Sequence, residues 1–584
     1  RGSRVRITLL RPIEPGTSGS PVFLHRQGYR QSGTIRMDTP ALAKTGVTGQ
    51  APVRLSIRAP IAMPFLSRDA IYWSIRHVLE HGDTDIFPYP IEFDFLSDRA
   101  DEVADALARE DLSRYRPLSA LESLFPKSRF AFRNTHLLYP VDTIMFTAAV
   151  VSIGPEVERA RLAAGNDVGF SYRFEQRDDY RMFQEHCRYA DWLQQQQARA
   201  LLADEGEYTH VVEADISDFF LRIYHHRLKN NLAEATDNTN ITTFITSFLR
   251  NIRARQSFGI PVGTNASRLM AELSLIDIDR ALAAEGYQAT RYVDDFRIFV
   301  RRDQDPYAAL AFLAEYLYSN DGLSLASAKT RILPFEAFRE RIDTLSGEDQ
   351  AAAEQSAAER LLFAVYDTED SAESLDQLAG LDLVGEIYEE LAKEYWDVGR
   401  IRILLRCMRL TRDAASVSFI QRSLTELLPF VKEVVLLMAE LHDSDDVDFQ
   451  GMETQVVDLI LSAAASQLPA TRAWLLELFV RKVIVISQEQ ARRLYGLTGA
   501  LDQRAVLQIR SQLSEVHYFR RGKTHMDELT PWLQPAFIRA AVCLPEDEYA
   551  VWLNNIRRQL RFPLAELFCD WAAHRRWAIQ RATA

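Results

Sequence analysis

Two adjacent carboxylates lie between two strand-like runs near the middle of the sequence, and they constrain the local fold more than any other feature. The runs Tyr287–Val293 and Phe296–Val300 are rich in aromatic and β-branched residues, a pattern typical of β-strands. The pattern predicts a β-hairpin that carries Asp294 and Asp295 at its tip. Paired carboxylates on a rigid turn are suited to holding divalent cations, although aspartates also favour turns for conformational reasons alone. A metal-binding hairpin and a simple turn are therefore both open at this point.

The chain is long enough for several domains. At 584 residues, it exceeds the usual size of one hydrophobic core, so about two to four domains are expected. Residues 1–55 are rich in Gly, Pro, Ser, Thr and Arg, which predicts an irregular arm. Residues 56–340 alternate helical and strand signals, whereas residues 341–584 are dominated by helical periodicity. We therefore predict an arm, an α+β domain and an all-α C-terminal domain of stacked helical hairpins, without a clean internal repeat.

Charge and cysteine usage argue against several classes of protein. The formal net charge of −13 is unlike that of a uniformly basic coat protein, although a nucleic-acid enzyme needs only local basic surface. The four cysteines form no CxxC pair, which argues against structural zinc and a disulfide framework. No apolar stretch reaches the roughly 18 residues that a membrane span requires, and Arg1–Val5 lacks a signal-peptide core. A cytoplasmic protein without a membrane partner is expected.

A third carboxylate lies upstream of the hairpin. The run Val211–Asp215 predicts a strand that ends at Asp215 and is followed by a short helix. Taken alone, Asp215 would more often be a helix cap than a ligand. Three aspartates on two adjacent strands, however, can hold two Mg²⁺ ions about 4 Å apart, with Mn²⁺ as an alternative. One ion would activate a 3′-hydroxyl and the other would neutralise the leaving phosphate.

A Gly/Pro loop separates the two acidic elements. The segment Phe258–Leu273 contains Pro261 and Gly263 in the loop, and then Asn265 and Ser267 at the start of a helical pattern. Glycine permits a close approach of the backbone to a base pair and its phosphates. A loop that leads into a helix N-terminus would explain any one of these residues. It would not explain the order of the three blocks.

In that order, the blocks resemble palm motifs A, B and C of the reverse transcriptase family. Asp215 matches the motif A carboxylate, Gly263 with Ser267 matches motif B, and Tyr292–Asp295 matches motif C. Lys329 resembles the motif D lysine, which implies that it protonates the pyrophosphate leaving group; an exposed lysine in a turn is the alternative. The resemblance implies the fingers and palm of a right-hand polymerase.

The resemblance also implies which nucleotide is used. Phe220 lies five residues after Asp215, where reverse transcriptases carry an aromatic gate against the ribose 2′-hydroxyl, so dNTPs are expected. A core phenylalanine beside Phe219 is the competing interpretation. Lys127 and Arg133 in the fingers region are candidates to bind the triphosphate by charge-assisted hydrogen bonds, and surface ion pairs explain them equally well. The residues expected around the nucleotide are Lys127, Arg133, Phe220, Pro261, Gly263, Asn265, Ser267 and Tyr292.

Two features of the sequence indicate which branch of the family it resembles. Val262 stands where the family usually has glutamine before the motif B glycine, unlike retroviral and group II intron-type enzymes. The segment Ile260–Glu272, the run Ser171–Arg173 and the long helical half instead resemble bacterial abortive-infection and other defence-associated reverse transcriptases. This implies a role in antiphage defence, with synthesis on a 3′-hydroxyl or on a protein hydroxyl, templated or untemplated. Candidate priming tyrosines are Tyr388, Tyr395, Tyr495, Tyr518 and Tyr549.

The expected partners are dNTPs and a DNA product, while an RNA template and a homo-oligomer formed through the helical half stay open. Basic clusters such as Arg520–Lys523 would give an acidic protein local surface for a polyanion, although each is individually more typical of a solvated helix face.

Two alternatives compete with a DNA polymerase. One is a helical scaffold or nucleic-acid-binding protein with a relic palm, against which the three aspartates argue. The other is an RNA polymerase that uses NTPs, against which Phe220 argues.

Overall fold

A computed structural model describes residues 65–82, 86–163, 168–253, 256–346, 382–412, 415–445 and 447–583. The predicted arm, residues 1–55, lies outside these ranges. The described residues belong to one compact unit. Among them, every named strand lies between residues 121 and 334, and every regular element from residue 335 onward is helical. The structure thus confirms an α+β region followed by an all-α region.

Six strands of the described chain form two antiparallel sheets. Two of them, β1 (Leu121–Ser128) and β2 (Ala131–Leu137), pair with each other and are called the N-terminal hairpin below. The other four strands are β3 (Tyr208–Asp215), β4 (Gln288–Tyr292), β5 (Asp295–Arg301) and β6 (Arg331–Pro334). They form a sheet in the order β4-β5-β3-β6. Because β5 and β3 are central, their apolar side chains are buried, as those of Val211, Val212 and Phe296 are.

Helices cover both sheets. In chain order they are α1 (Arg68–His81), α2 (Glu92–Asp98), α3 (Ala100–Leu107), α4 (Pro140–Ala160), α5 (Tyr189–Leu202), α6 (Phe219–Arg222), α7 (His225–Ala235), α8 (Thr239–Ile252), α9 (Asn265–Ser274), α10 (Ile276–Ala284), α11 (Pro306–Tyr316) and α12 (Phe335–Ser346). A π-helical turn, Leu317–Asp321, continues α11. Helix α4 is apolar on nearly all sides, and its residues from Ile144 to Val151 are buried. It therefore forms the centre of the core on which α1, α8 and α9 pack.

The C-terminal region is built from helices alone in its described part. They are α13 (Leu383–Ala392), α14 (Val398–Thr411), α15 (Ala415–Ser423), α16 (Val431–Asp445), α17 (Glu453–Ile460), α18 (Ala463–Ser466), α19 (Pro469–Val480), α20 (Gln488–Leu494), α21 (Ala500–Gln512), α22 (Val516–Gly522), α23 (Gln534–Ala540), α24 (Glu546–Ile556) and α25 (Ala565–Thr583), with 3₁₀ turns at Leu428–Phe430, Gln450–Met452 and Ala541–Cys543. Helix α14 packs on α16, α16 on α19, α19 on α21, α21 on α23, and α23 on α25. Such a row of neighbours is typical of a helical stack.

The helical stack shares its hydrophobic core with the α+β region. The Trp474 indole donates to the carbonyl of Ile86 over 2.7 Å, and the Trp571 indole donates to Asp98 over 2.8 Å. The Arg504 guanidinium makes two hydrogen bonds to the buried Glu92 carboxylate, of 2.9 and 2.6 Å. The two regions are therefore fixed to each other. No helix in the described ranges combines the length and the apolar character needed to cross a membrane.

Candidate active site

The predicted hairpin is formed by β4 and β5. Tyr292 pairs with Asp295 across the two strands, so Val293 and Asp294 make a two-residue turn. Val293 has φ +57°, a left-handed conformation that two-residue hairpin turns require and that a β-branched residue seldom adopts. Two hydrogen bonds, one to the amide and one to the carbonyl of Val293, hold this turn in place. Its N–H donates to Ser171 Oγ over 2.8 Å, and its carbonyl accepts from Arg291 Nη1 over 3.0 Å.

The predicted strand before Asp215 places this residue directly opposite the hairpin. Strand β3 pairs with β5 in a register that puts Asp215 opposite Asp295. The amide of Ile216 donates to the carbonyl of Asp294 over 3.1 Å, which ties the two strand ends together. All three aspartates are partly exposed at this edge of the sheet. The structure thus brings the three predicted carboxylates to one place.

Burial and neighbouring carboxylates raise the pKa of Asp294 and of Asp295. Burial raises the pKa of Asp294 to about 6, and the charges of Asp215 and Asp295 add to the shift. Burial also raises the pKa of Asp295 to about 6; Arg297 opposes the shift, and Asp215 and Glu213 add to it. Like charges held this close favour a proton or a cation between them. A cation bound at this edge would therefore relieve the repulsion between the carboxylates.

The donor set at this edge fits a divalent metal in its chemistry. Mg²⁺ and Mn²⁺ prefer carboxylate oxygens, which is what Asp215, Asp294 and Asp295 supply. Over the described ranges, no group of three or more His, Cys, Asp or Glu side chains is gathered closely enough to hold a metal ion. The predicted ligands therefore share an edge without forming a ready-made three-ligand cluster.

Lys329 supplies a positive charge to this edge. Its Nζ lies 2.7 Å from Asp215 Oδ1. Partial burial lowers the pKa of Lys329, but the hydrogen bond and the charge of Asp215 outweigh burial and raise it overall. The ammonium group is therefore held in its protonated form beside the carboxylates, where the sequence predicted it.

The predicted loop leads into α9 and approaches the short helix α6. Gly263 has φ +109°, a conformation that suits glycine. The Phe220 carbonyl accepts from the Ile260 amide over 2.9 Å, so the Phe220 residue adjoins the loop. Pro261 is buried within it. These contacts put the predicted gate residue and the loop in one place.

Two further predicted residues lie at the first turn of α9. Ser267 is fully buried, and its N–H and hydroxyl are both bonded to Thr264 Oγ1, over 3.0 and 2.8 Å. Asn265 is partly exposed and lies 3.0 Å from the His77 ring. Ser267 thus takes part in the helix cap, and Asn265 is the more accessible of the two.

The remaining predicted residues lie on other elements. The Tyr292 ring packs among aromatic rings, 5.2 Å from Tyr189 and 5.9 Å from Tyr172 between centroids. Lys127 and Arg133 lie on the N-terminal hairpin and line a cavity that Arg268 of α9 also lines. No hydrogen bond or ion pair described in the structure joins these two cations to the aspartates.

A buried charge network behind the hairpin was missed by sequence reasoning. Arg291 donates to both oxygens of Asp279, at 2.7 Å each, and to Glu272 Oε2 at 2.8 Å. Arg161 donates to the same Glu272 oxygen over 2.9 Å, and Ser171 donates to its other oxygen. The available signal was the arginine inside an apolar strand, directly before Tyr292. A charged side chain that is buried within an apolar strand needs buried partners.

Residues 171–352 match a family model described as reverse transcriptase (RNA-dependent DNA polymerase). The similarity to the reverse transcriptase family covers about a third of the chain. The matched segment begins at Ser171 and contains Asp215, the Gly263 loop, the hairpin and Lys329, so it supports nucleotide polymerase chemistry at this edge of the sheet. Most of the helical stack lies beyond the match. No curated protein matches the sequence.

Solved structures similar to this chain include two telomerases. One, from Candida albicans in complex with a TWJ fragment of telomeric RNA, has 10% sequence identity and a TM-score of 0.30, and the match covers 65% of this chain and 70% of that one. The other, apo telomerase from Candida tropicalis, has 12% identity and a TM-score of 0.32, with coverage of 65% and 73%. At this level of similarity, neither structure informs on the activity of this chain.

Proposed function

We propose that the protein is a DNA polymerase of the reverse transcriptase type. It would add dNTPs to a 3′-hydroxyl or to a protein hydroxyl, with Asp215, Asp294 and Asp295 as the catalytic carboxylates. The observation that carries this proposal is the register of β3 and β5, which sets Asp215 opposite Asp295 beside a fixed turn. The match to the reverse transcriptase family over the same residues supports it.

The three aspartates would hold Mg²⁺, with Mn²⁺ as an alternative. When bound, the metal supplies positive charge that activates the attacking hydroxyl and neutralises the leaving phosphate. The raised pKa values of Asp294 and Asp295 support this assignment, because a cation between the carboxylates would relieve their repulsion. Lys329 holds a proton 2.7 Å from Asp215 Oδ1 and would deliver it to the leaving pyrophosphate.

Residues around the same edge would contact the sugar and the triphosphate of the incoming nucleotide. Phe220 would exclude the ribose 2′-hydroxyl, a role that its contact with the Gly263 loop supports. Tyr292, Pro261, Gly263 and Asn265 would contact the nucleotide. The other proposed contacts are Ser267, Lys127 and Arg133.

We further propose that the polymerase acts in antiphage defence, on nucleic acid that includes a DNA product. The motif B form and the helical stack from about residue 341 support this assignment; the stack is also the proposed site of self-association.

Among the candidate priming tyrosines, Tyr395 is the most accessible, with 79% of its surface exposed, followed by Tyr388 with 42%. Tyr549 is fully buried, and its hydroxyl donates to the Ile538 carbonyl. Tyr395 is therefore the preferred primer, should synthesis be protein-primed.

Incorporation of labelled dNTPs in Mg²⁺ tests the proposed chemistry. Asp294→Asn and Asp295→Asn should each reduce incorporation to background, because each removes a catalytic carboxylate while preserving shape. Asp303→Asn is the matched control, since Asp303 is an exposed aspartate just beyond β5. Retention of full activity in both variants would contradict the assignment of the catalytic carboxylates, whereas no incorporation by the unmodified protein would indicate a nucleic-acid-binding relic. Incorporation of NTPs in preference to dNTPs, unaffected by Phe220→Ala, would indicate an RNA polymerase.

A further inference from the structure

Helix α6, which carries Phe220, is held in place by the loop before α9. The helix is a single turn, Phe219–Arg222, and a helix this short is not stable without tertiary contacts. The Ile260 amide donates to the Phe220 carbonyl over 2.9 Å, and the Gly259 amide donates to the Ile223 carbonyl over 2.8 Å. The position of Phe220 therefore depends on where the loop backbone lies.

His225, the first residue of α7, adds a side-chain bond to this loop. Its ring is buried, and Nε2 lies 2.7 Å from the Gly259 carbonyl oxygen. Because a carbonyl oxygen can only accept, Nε2 carries the proton and donates it. The other ring nitrogen, Nδ1, is also buried and has no hydrogen-bond partner within the described ranges. The ring therefore directs its hydrogen bond to the loop backbone.

The His225 ring is held in its neutral form. Burial lowers the pKa of His225; the bond to Gly259 opposes the shift, and the charges of Arg253 and Arg250 add to it. A second proton, on Nδ1, would be buried without an acceptor, which is costly. The contact with Gly259 is therefore made by a neutral ring with one N–H donor.

Gly259 has little freedom to move within this contact. Its φ is +86°, a conformation that suits glycine. A side chain at this position would collide with the Arg253 guanidinium, and its Cβ would lie 3.0 Å from the Leu221 carbonyl oxygen. Arg253 is itself buried and donates to the Phe258 carbonyl over 3.4 Å. Neighbouring groups therefore enclose the loop backbone, and His225 supplies the contact to the Gly259 carbonyl.

The stretch between Asp215 and His225 is fixed at its two ends. Asp215 pairs with β5, and the His225 amide donates to the Ser257 carbonyl over 3.0 Å. Between them, Asp218 has φ +50°, a conformation that residues other than glycine adopt infrequently. Such a turn persists only where the surrounding structure holds it. Loosening of the end at His225 would therefore let the turn relax and shift α6.

We propose that His225 is a positioning residue for selection of the sugar. Its bond to Gly259 keeps the Phe220 ring at the distance from the loop at which a ribose 2′-hydroxyl is excluded and a deoxyribose is accepted. A displacement of about 1 Å is enough to change such a contact strongly. His225 is buried and acts through Phe220. This inference rests on the proposed polymerase function, to which it adds a residue outside the nucleotide contacts.

Single-nucleotide incorporation of dNTP and of NTP, each measured as kcat/KM in Mg²⁺, tests this role. His225→Phe keeps a ring and removes the donor, so the preference for dNTP over NTP should fall about three- to tenfold, the size of one net hydrogen bond. His225→Gln retains a side-chain N–H donor and should restore most of the preference. His226→Gln is the matched control, because His226 is exposed and stacks on Tyr224; it should leave the preference unchanged.

A double variant separates positioning from a general loss of structure. Because His225 acts through Phe220, Phe220→Ala/His225→Phe should lose no more preference than Phe220→Ala alone. An additive loss, or an equal fall in dNTP and NTP incorporation by His225→Phe, would overturn the proposal. An unchanged preference in His225→Phe would also overturn it, provided that Phe220→Ala lowers the preference. If Phe220→Ala changes nothing, the gate assigned to Phe220 is wrong and the role of His225 is wrong with it.

Amide hydrogen exchange measures the contact without any nucleotide. The Gly259 and Ile260 amides should exchange about threefold faster or more in His225→Phe than in the unmodified protein. His225→Leu, which removes the donor without a ring, replaces that variant if it does not fold. Unchanged exchange at both amides would overturn the inference and leave the proposed polymerase intact. No incorporation by the unmodified protein would overturn the proposed function and this inference together.

Discussion

The substitution Glu272→Gln probes the buried network that holds the catalytic turn. Glu272 lies between two buried guanidinium groups, with Arg291 at 2.8 Å and Arg161 at 2.9 Å, and its side chain is fully buried. Glutamine keeps the shape but removes the negative charge. One positive charge is then left uncompensated in the core, a change that typically costs about 3–5 kcal/mol.

The consequence should reach the active site. Arg291 donates to the Val293 carbonyl, and Ser171, which donates to Glu272, accepts from the Val293 amide. Both contacts hold Val293 in a conformation that a β-branched residue disfavours. We therefore expect dNTP incorporation by Glu272→Gln to fall even at temperatures where the protein is folded, because the turn that carries Asp294 is no longer fixed.

Urea unfolding and amide hydrogen exchange measure this effect. The protein should lose about 3–5 kcal/mol of unfolding free energy, and the hairpin amides should exchange faster than those of the helical stack. The control is Glu234→Gln, an exposed carboxylate that lies 3.9 Å from Arg280, which should change stability by less than about 1 kcal/mol. Equal effects of the two substitutions, or unchanged exchange at Val293, would refute the reasoning.

Three other predictions concern separate groups. Burial raises the pKa of Asp142 to about 7, so between pH 4 and 7 its folded form retains a proton that the unfolded chain loses; stability should fall by about 3 kcal/mol as pH rises from 4 to 7, and Asp142→Asn should flatten that dependence in pH-dependent unfolding. Lys329→Met should slow incorporation about 100-fold or more and leave stability within about 1 kcal/mol, since the Lys329 side chain is more than half exposed; an unchanged rate in single-turnover kinetics would contradict a proton-donor role. Ser171→Ala should cost about 1–3 kcal/mol by leaving the Val293 amide unsatisfied, and protection of that amide equal to that of the unmodified protein would contradict this.

The local features of the site could be predicted from the sequence because they depend on neighbouring residues. The strand ending at Asp215, the short helix after it and the hairpin around Asp294 are all confirmed. Alternation of apolar residues and the position of the turn encode such elements directly. The sequence predicted that the two strands are adjacent, and the structure adds the register between β3 and β5.

The network and the packing of the helical stack on the N-terminal hairpin could not be predicted, because each joins distant segments. Glu272 and Ser171 are 101 residues apart, and Arg402 and Pro126 are 276 residues apart. Local charge patterns also do not show which distant carboxylates compensate a basic cluster. In the predicted cluster Arg520–Lys523, Arg520 and Lys523 both pair with Glu548.

The contact between Trp571 and Asp98 has a consequence for how the chain is made. The two residues are 473 positions apart, and the Phe95 ring packs on Phe568 and Trp571 nearby. During synthesis, the first helices leave the ribosome long before their last partners exist. Domains usually fold in the order in which they are translated, but the aromatic face of helix α2 is covered only once helix α25 has been made. A nascent chain that lacks α25 would therefore keep that face open to chaperones, and the protein would acquire this part of its core late in translation.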